Sequence, residues 1–319
     1  MPRQPNKALV KTEPQDLIRS ARNFMDAAKS ENTKRAYRAD WRHFEDWTSG
    51  RDRNPLPASP ETVAAYLTDL SDTAKVSTLG RRMAAISQAH QMAGYESPTR
   101  TSPVRMLMSG IRRTKGVAPQ SKTPVLTEDV LAMLAALPAG ILGVRDRALL
   151  LMGFAGGFRR SEIVGVDVED LEFKRNGLVV NLRRSKTDQE GAGRKVGIPY
   201  GSSEQTCPVR SVKTWLAEAS IEAGPVFRAV NRHGKVQPKR LSPQSVGLVV
   251  KRYAEACGKE ASDFGGHSLR SGFATQAAAQ GASERSIMNQ TGHRSLKMVR
   301  HYIREGSLFR ENAAAKLGL

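Results

Sequence analysis

The chain has 319 residues, 39% of them hydrophobic, which is long and apolar enough for two domains that each bury an ordinary core. Lysine and arginine number 50 against 31 acidic residues, and this formal net charge of +19 indicates a polyanionic partner, with nucleic acid first. The sequence contains neither an apolar run long enough to span a bilayer nor the apolar core of a signal peptide, and its two cysteines cannot form a disulfide framework or a four-thiolate zinc site. We therefore expect a cytoplasmic protein with no membrane partner.

Residues 1–115 predict a helical domain. Apolar residues recurring every three to four positions predict five helices, at residues 15–29, 32–48, 60–71, 76–93 and about 103–114. Ser59 followed by Pro60 marks a helix start, because the N–H that proline lacks would have no partner at that position. Gly50 and Gly94 are placed to end their helices.

The second predicted helix carries an aromatic stripe. Tyr37, Trp41, Phe44 and Trp47 recur at intervals of four and three, so they share one helix face, which we interpret as packing on a core rather than stacking on bases. Basic side chains cluster on this helix and on the fourth, where they form either a solvated face or a DNA-binding surface. The candidate DNA-binding residues are Lys34, Arg35, Arg38, Arg42, Arg81 and Arg82.

Residues 116–125 contain two prolines and a glycine without apolar periodicity, which is typical of an extended linker. A second domain, residues 126–319, opens with a predicted helix from Thr127 to Leu137 that Thr127 caps. A highly apolar helix follows at about Gly143–Phe154. Residues 1–115 hold 20 basic and 12 acidic side chains and the remainder 30 and 19, so both domains are positive and both are expected to contact phosphates.

Two strands are predicted in the second domain, at Leu178–Leu182 and Lys195–Pro199. They flank a polar, glycine-bearing segment that is expected to form a hairpin carrying Lys186. Helices resume near Pro208. The predicted fold is therefore mainly α with a small β-sheet, a helical domain followed by a mixed α/β domain.

Some polar residues of the second domain suit phosphate chemistry, although each has an ordinary explanation when it is taken alone. Arg159 and Glu162 follow a glycine break after the apolar helix. The ordinary explanation of this pattern is a helix turn with an exposed arginine. The ordinary explanation of Lys186 is a lysine in a solvated turn.

Two further pairs lie nearer the C-terminus. His267 and Arg270 stand three residues apart, so a helix projects both from one face, where such a pair can also act as a cap. His293 precedes Tyr302 by nine residues, and a loop histidine with a buried tyrosine is the ordinary explanation of that pair. The combination and order of all these residues are far more specific than any one of them.

From about Thr123 to Ile303 the sequence resembles the catalytic domain of the tyrosine recombinases, the phage-integrase, Xer and Cre group. This resemblance implies an active site formed by Arg159, Glu162, Lys186, His267, Arg270, His293 and the nucleophile Tyr302. Around Tyr302 the sequence looks most like Cre-type members. It departs from many integrases at Ser271, where they place a further histidine.

Residues 1–115 are similar to the helical, SAM-like core-binding domain of the same family, notably at Asn32–Tyr37. The family resemblance implies two domains that form a C-shaped clamp on DNA, with no cofactor and no metal. It also implies a double-stranded target, short inverted repeats around a spacer, on which a homotetramer holds two DNA sites. Accessory proteins cannot be inferred from the sequence.

The implied reaction is site-specific recombination, with strand cleavage through a 3′-phosphotyrosine and rejoining without ATP. Lys186 would donate a proton to the 5′-hydroxyl that leaves, and His267 would act as base or proton carrier. The alternatives are a type IB topoisomerase or telomere resolvase with the same chemistry, and a non-catalytic DNA-binding protein on the same fold. Integration, excision and resolution share one active site, so the sequence does not separate them.

The end of the chain predicts a final short helix. Phe309, Ala313 and Leu317 recur at four-residue intervals and Leu308 flanks the same stripe. The family resemblance implies that this helix docks on a neighbouring subunit, whereas packing on its own domain is the alternative.

Overall fold

The computed structural model describes residues 29–116, 121–183, 193–296, 299–300, 302 and 317. The chain forms two compact units, Met1–Gln120 and Ser121–Leu319. Helices predominate in both, and the strands found in the described residues form two small antiparallel sheets in the second unit, which confirms the predicted fold class. In the described part of the chain, no helix is long and apolar enough to cross a membrane.

Four α-helices form the described part of unit 1: α1 Glu31–Ser49, α2 Pro60–Ser71, α3 Val76–Met92 and α4 Ser102–Lys115. Each agrees with its predicted helix to within one residue at either end. Ser59 caps α2 as predicted, its hydroxyl accepting a hydrogen bond from the Thr62 N–H at 3.2 Å. Gly50 is the C-cap of α1, and Gly94, with φ +81°, follows the C-cap of α3. The predicted helix at 15–29 lies outside the described residues except for Lys29.

The core of unit 1 confirms the aromatic stripe of α1. Phe44 and Trp47 are buried, and both meet the ring of Tyr66 edge-on at centroid distances of 4.9 Å and 5.2 Å. Trp41 packs against this core and Tyr37 is half-buried.

A buried histidine ties α3 to the loop before α2. The Ala58 N–H donates to His90 Nε2 at 2.8 Å, so His90 Nδ1 carries the proton and donates to the Ile86 carbonyl, also at 2.8 Å. His90 is therefore a structural residue of this core.

Seven α-helices form the described part of unit 2: α5 Thr127–Ala135, α6 Ile141–Ala155, α7 Arg160–Gly165, α8 Pro208–Glu218, α9 Pro243–Ala256, α10 Ser268–Ala279 and α11 Glu284–Thr291. The predicted cap of α5 is wrong. Leu126 occupies the N-cap position, and the Asp129 carboxylate accepts its N–H at 2.8 Å, so Thr127 lies inside the first turn. The helix ends at Ala135, two residues earlier than predicted.

Five short strands complete the part of unit 2 that the structure describes: β1 Leu171–Lys174, β2 Gly177–Leu182, β3 Arg194–Pro199, β4 Arg228–Val230 and β5 Val236–Arg240. The predicted strands correspond to β2 and β3, which pair antiparallel with Val180 opposite Val196. Strand β1, which adds to the edge of β2, and the separate β4–β5 pair were not predicted from the sequence. The segment 184–192 that joins β2 to β3, including Lys186, lies outside the described residues.

The core of unit 2 centres on α6. This helix is apolar on nearly all sides, and it is accordingly covered by neighbouring helices that include α8, α10 and α5. A buried polar network anchors its first half. Asp146 is fully buried and accepts hydrogen bonds from Arg145 at 2.6 Å and from the Tyr253 hydroxyl at 2.7 Å. The end of the predicted linker also lies in this unit, because the Val125 N–H donates to the Ser268 carbonyl at 3.0 Å.

Candidate active site

The first part of the site is the turn that follows α6. Gly157 has φ +56°, a left-handed conformation that glycine adopts without strain, and it turns the chain so that Phe158 is buried and Arg159 is the N-cap of α7. The carboxylate of Glu162 accepts the Arg159 N–H at 2.9 Å and the Arg159 Nη1–H at 2.6 Å. Glu162 is 4% exposed, so a buried carboxylate fixes both the backbone and the guanidinium of Arg159.

A second arginine, Arg194, binds the same carboxylate and was not predicted from the sequence. Arg194 begins β3 and donates from Nη2 to Glu162 Oε2 at 3.3 Å and from Nη1 to the Gln290 carbonyl at 2.9 Å. Burial lowers its pKa, and the charge of Arg159 acts in the same direction. Arg194 therefore connects the sheet, the carboxylate and the C-terminus of α11.

Gly292 makes room for this arginine. It has φ +66°, and a Cβ at this position would lie 2.6 Å from Arg194 Nε. Its N–H donates to the Met288 carbonyl at 2.7 Å, which ends α11. A larger residue here would displace either Arg194 or the turn that carries His293.

Arg270 is the most deeply buried cation of the site. It projects from the first turn of α10 and is 0% exposed. Nη1 donates to the Gly157 carbonyl at 2.8 Å and to the Thr291 carbonyl, whereas Nε and Nη2 are buried without a hydrogen-bond partner among the described residues. Burial lowers the pKa of Arg270 to about 9, with repulsion from Arg159 as the next cause. Two donors of a buried arginine thus point at neither a carboxylate nor a carbonyl of the described chain.

His293 lies in the turn after α11. Its Nδ1 lies 2.7 Å from the Thr291 hydroxyl, which in turn lies 2.6 Å from the Ile287 carbonyl. Burial lowers the pKa of His293 to about 3, followed by repulsion from Arg270 and Arg159. His293 is therefore neutral in the protein without bound anion.

Tyr302 is buried in a small cluster against α10 and α11. Its neighbours there include Ala274, Ile287 and Val299, and the backbone at Tyr302 is helical. Its hydroxyl lies 3.5 Å from His267 Nε2, and its ring centroid lies 5.9 Å from that of His293. The apolar cluster holds the ring, and the hydroxyl faces the histidines.

The structure thus brings six of the seven predicted catalytic residues together: Arg159, Glu162, His267, Arg270, His293 and Tyr302. The seventh, Lys186, lies outside the described residues. Ser271, where many integrases have a histidine, uses its hydroxyl within α10, bonding the His267 carbonyl at 3.1 Å. The predicted docking residues Leu308, Phe309 and Ala313 also lie outside the described residues, and Leu317 is exposed.

The basic candidates of unit 1 fall into two groups. On α1, Lys34 pairs with Glu31 at 2.9 Å and Arg35 donates to Asn32 at 2.8 Å, while Arg38 and Arg42 are exposed.

On α3, the basic candidates meet an acid of α1. Arg81 makes a two-pronged pair with the buried Asp40, at 2.6 Å and 3.0 Å. Arg82 lies over the ring of Tyr66, 5.8 Å from its centroid, with Nε 3.9 Å from Asp40. Both arginines therefore contribute to the α1–α3 contact.

Chemically, the site combines a cluster of cations with a tyrosine hydroxyl. Arg159, Arg194 and Arg270 surround a single carboxylate, that of Glu162. The excess positive charge and the paired N–H groups of guanidinium match a tetrahedral oxyanion such as phosphate. The hydroxyl of Tyr302 lies beside this cluster, and a tyrosine hydroxyl is chemically able to attack phosphorus.

Comparison with known proteins agrees with this geometry. The phage integrase family model matches residues 124–307, and the model of the phage integrase N-terminal SAM-like domain matches residues 24–96. An integrase/recombinase xerD homolog from Selenomonas ruminantium is 43% identical over 94% of this chain and 89% of its own length.

The solved structures that share the fold include two integrases bound to DNA. The Tn1549 transposon integrase in complex with transposon right end DNA has a TM-score of 0.61 at 15% identity, covering 90% of this chain and 92% of that one. A lambda integrase dimer bound to a COC′ core site has a TM-score of 0.60 at 17% identity, covering 94% and 79%.

Proposed function

The chain belongs to the phage integrase family and is a tyrosine recombinase, and we propose that Tyr302 is the nucleophile with which it cleaves DNA at a specific site. The Tyr302 hydroxyl attacks the scissile phosphorus, leaving a 3′-phosphotyrosine and releasing a 5′-hydroxyl. The observation that carries this proposal is Arg270, a fully buried guanidinium with two unpaired donors among the described residues, placed beside the tyrosine.

Phosphate binding is assigned to the arginines. A phosphodiester resists attack because its own negative charge repels nucleophiles, and its transition state gathers more charge on the non-bridging oxygens. Nε and Nη2 of Arg270 form a fork suited to one phosphate, and Arg159 adds a second guanidinium. Because these groups supply the positive charge, the proposed chemistry calls for no metal ion.

Proton transfer is assigned to His267 and Lys186. The Tyr302 hydroxyl must lose its proton during attack, and His267 Nε2, at 3.5 Å, is the candidate acceptor. The leaving 5′-oxygen must gain a proton, which is the role proposed for Lys186 on the β2–β3 hairpin. The covalent link retains the energy of the broken bond, so a 5′-hydroxyl of a partner strand can attack it and rejoin the DNA without ATP.

The remaining partners extend this proposal. The duplex is contacted by both units, in unit 1 through the exposed Arg38 and Arg42 of α1 together with Lys34, Arg35, Arg81 and Arg82. Recombination requires two DNA sites to be held together. We assign this task to a homotetramer bound to short inverted repeats. Its subunits would be linked by the segment containing Phe309 and Leu317.

A covalent trapping assay tests the nucleophile. Wild-type protein is incubated with a library of nicked duplexes that lose the 5′-hydroxyl fragment after cleavage, and the trapped DNA is sequenced to give the target. Wild type should form a denaturant-resistant adduct, Tyr302→Phe should form none, and Tyr200→Phe should match wild type because the Tyr200 hydroxyl contacts Lys213 outside the site. Adducts formed by Tyr302→Phe would overturn the assignment, and their absence from wild type would favour a non-catalytic DNA-binding protein.

A second assay separates recombination from related strand transfer. With the target in hand, two labelled duplexes should exchange arms, whereas a topoisomerase-like enzyme or telomere resolvase would relax or close single duplexes. Truncation after Glu305 should leave adduct formation intact and abolish tetrameric complexes. Tetramers that assemble normally without this segment would refute its docking role.

A further inference from the structure

A short hydrogen-bond relay leads from the end of α11 to His293. The Thr291 hydroxyl lies 2.6 Å from the Ile287 carbonyl and 2.7 Å from His293 Nδ1, and Thr291 is fully buried. The relay is therefore closed to solvent at the threonine, and each of its two links must contain one proton.

Counting protons assigns the tautomer of His293. A threonine hydroxyl has one hydrogen, and a carbonyl has none, so the proton between Thr291 and Ile287 must come from the hydroxyl. The hydroxyl then has only lone pairs to offer Nδ1, so the link between them requires a proton on Nδ1. Neutral His293 therefore carries its proton at Nδ1, and Nε2 has a lone pair.

In this tautomer His293 cannot donate a hydrogen bond from Nε2 to a phosphate placed beside Tyr302. Nδ1 is engaged with Thr291, so Nε2 is the ring nitrogen left to meet a phosphate beside Tyr302. A lone pair cannot donate to an anionic oxygen. On the basis of the proposed function, we propose that Thr291 is a positioning residue that fixes His293 as the Nδ1–H tautomer, so that His293 engages the scissile phosphate only after Nε2 takes up a proton.

The charges around His293 fit this coupling. Arg270 on α10, Arg159 at the start of α7, His267 before α10 and Arg194 on β3 all face the ring and disfavour its protonation in the free protein. The negative charge of a dianion-like phosphate transition state offsets the repulsion from these cations, so it favours the imidazolium form of His293. Proton uptake then accompanies phosphate engagement, and engagement weakens as pH rises through the pKa of the bound imidazolium.

The first test reads the tautomer directly in the free protein. The chain has six histidines, so ¹⁵N–¹H correlation spectra of histidine-labelled protein resolve the rings, and His293→Gln identifies the one of interest. Wild type and Thr291→Ser, which keeps the hydroxyl, should show a protonated Nδ1 and an unprotonated Nε2. Thr291→Val, which keeps the shape, should lose the Nδ1–H form. A wild-type Nε2–H tautomer would overturn the inference even if the valine variant does not fold.

The second test measures the coupling, with single-turnover adduct formation followed across the neutral pH range. Tyrosine deprotonation affects all variants alike, so the informative quantity is the rate of Thr291→Val divided by that of wild type. This ratio should rise with pH, by up to about tenfold per pH unit, because the variant can donate from a neutral Nε2–H. Thr291→Ser should give a ratio that is constant with pH.

The outcomes keep this inference distinct from the proposed function. Wild-type protein that forms no adduct at any pH refutes the proposed function. Wild-type protein that forms adducts, with a Thr291→Val ratio independent of pH, refutes the proton uptake alone.

Discussion

Glu162→Gln should weaken the site by removing the one carboxylate that Arg159 and Arg194 share. The carboxylate accepts three hydrogen bonds, from the Arg159 N–H, from Arg159 Nη1 and from Arg194 Nη2. Glutamine has one acceptor oxygen, so its NH₂ group must face either the backbone N–H or a guanidinium. At least one charge-assisted hydrogen bond is therefore replaced by a contact between two donors.

The expected cost follows from burial. The loss of one charge-assisted hydrogen bond is about 1.5–3 kcal/mol, and breaking a buried ion pair typically costs about 3–5 kcal/mol. The side chains of Glu162 and Arg159 are 1% and 12% exposed, so solvent screens this pair weakly. Because glutamine still offers one acceptor, we expect unit 2 to lose about 2–4 kcal/mol of its free energy of unfolding.

Amide hydrogen exchange during urea titration measures this loss unit by unit. Protection should fall in α7 and α11 and stay unchanged in unit 1. Glu169→Gln is the matched control, because the exposed Glu169 carboxylate accepts one backbone N–H from Gly224 at 3.0 Å. Equal protection in the two variants would refute the idea that Glu162 holds the cation cluster.

Three further predictions rest on other buried polar groups. The pKa of His293 is lowered to about 3 in the folded protein, whereas an unfolded histidine titrates at about 6.5. Between these pH values the unfolded chain binds a proton that the folded chain does not, so stability falls as the pH falls. His293→Gln should therefore show a shallower loss of stability over this range in acid unfolding. His90→Phe leaves the buried Ala58 N–H without its acceptor and should cost unit 1 about 1–3 kcal/mol in urea unfolding; a loss near zero would contradict the assigned hydrogen bond. Tyr253→Phe removes a donor from the buried Asp146 and should lower the unfolding free energy of unit 2 by about 1–3 kcal/mol, with thermal unfolding as the check.

The sequence predicted what local signals decide. Helices α1 and α2 begin at capping serines, Ser30 and Ser59, and the helices of unit 1 follow apolar stripes along the chain, so their boundaries agree with the structure. The predicted cap of α5 was wrong because Thr127 and Asp129 can both cap a helix start. Propensity alone does not say which side chain bonds the backbone. Strands β4 and β5 were not predicted because their short sequences, which contain basic residues, do not alternate apolar and polar side chains.

The site shows the same division. Its motif residues could be identified from their order, whereas Arg194 and Thr291 could not. Arg194 acts through packing of β3 against the end of α11, residues that lie about a hundred positions apart in the chain. In the sequence Thr291 does not differ from other helical threonines. The structure is needed to show that its hydroxyl lies between the Ile287 carbonyl and His293 Nδ1. The positioning roles proposed for such residues depend on tertiary contacts, which one sequence does not contain.

Backbone carbonyls explain how the protein keeps so many cations together before DNA arrives. Arg270 is held by the carbonyls of Gly157 and Thr291, and Arg194 by that of Gln290, all of them at or just beyond the C-terminal ends of α6 and α11. Helix C-termini carry partial negative charge, so they stabilise a guanidinium and fix its orientation. Being neutral groups, they do not cancel its charge as a second carboxylate would. The positive charge is thus preorganised and remains available to the phosphate that we propose these arginines bind. Preorganised charge of this kind is the condition under which electrostatic stabilisation of a transition state is largest.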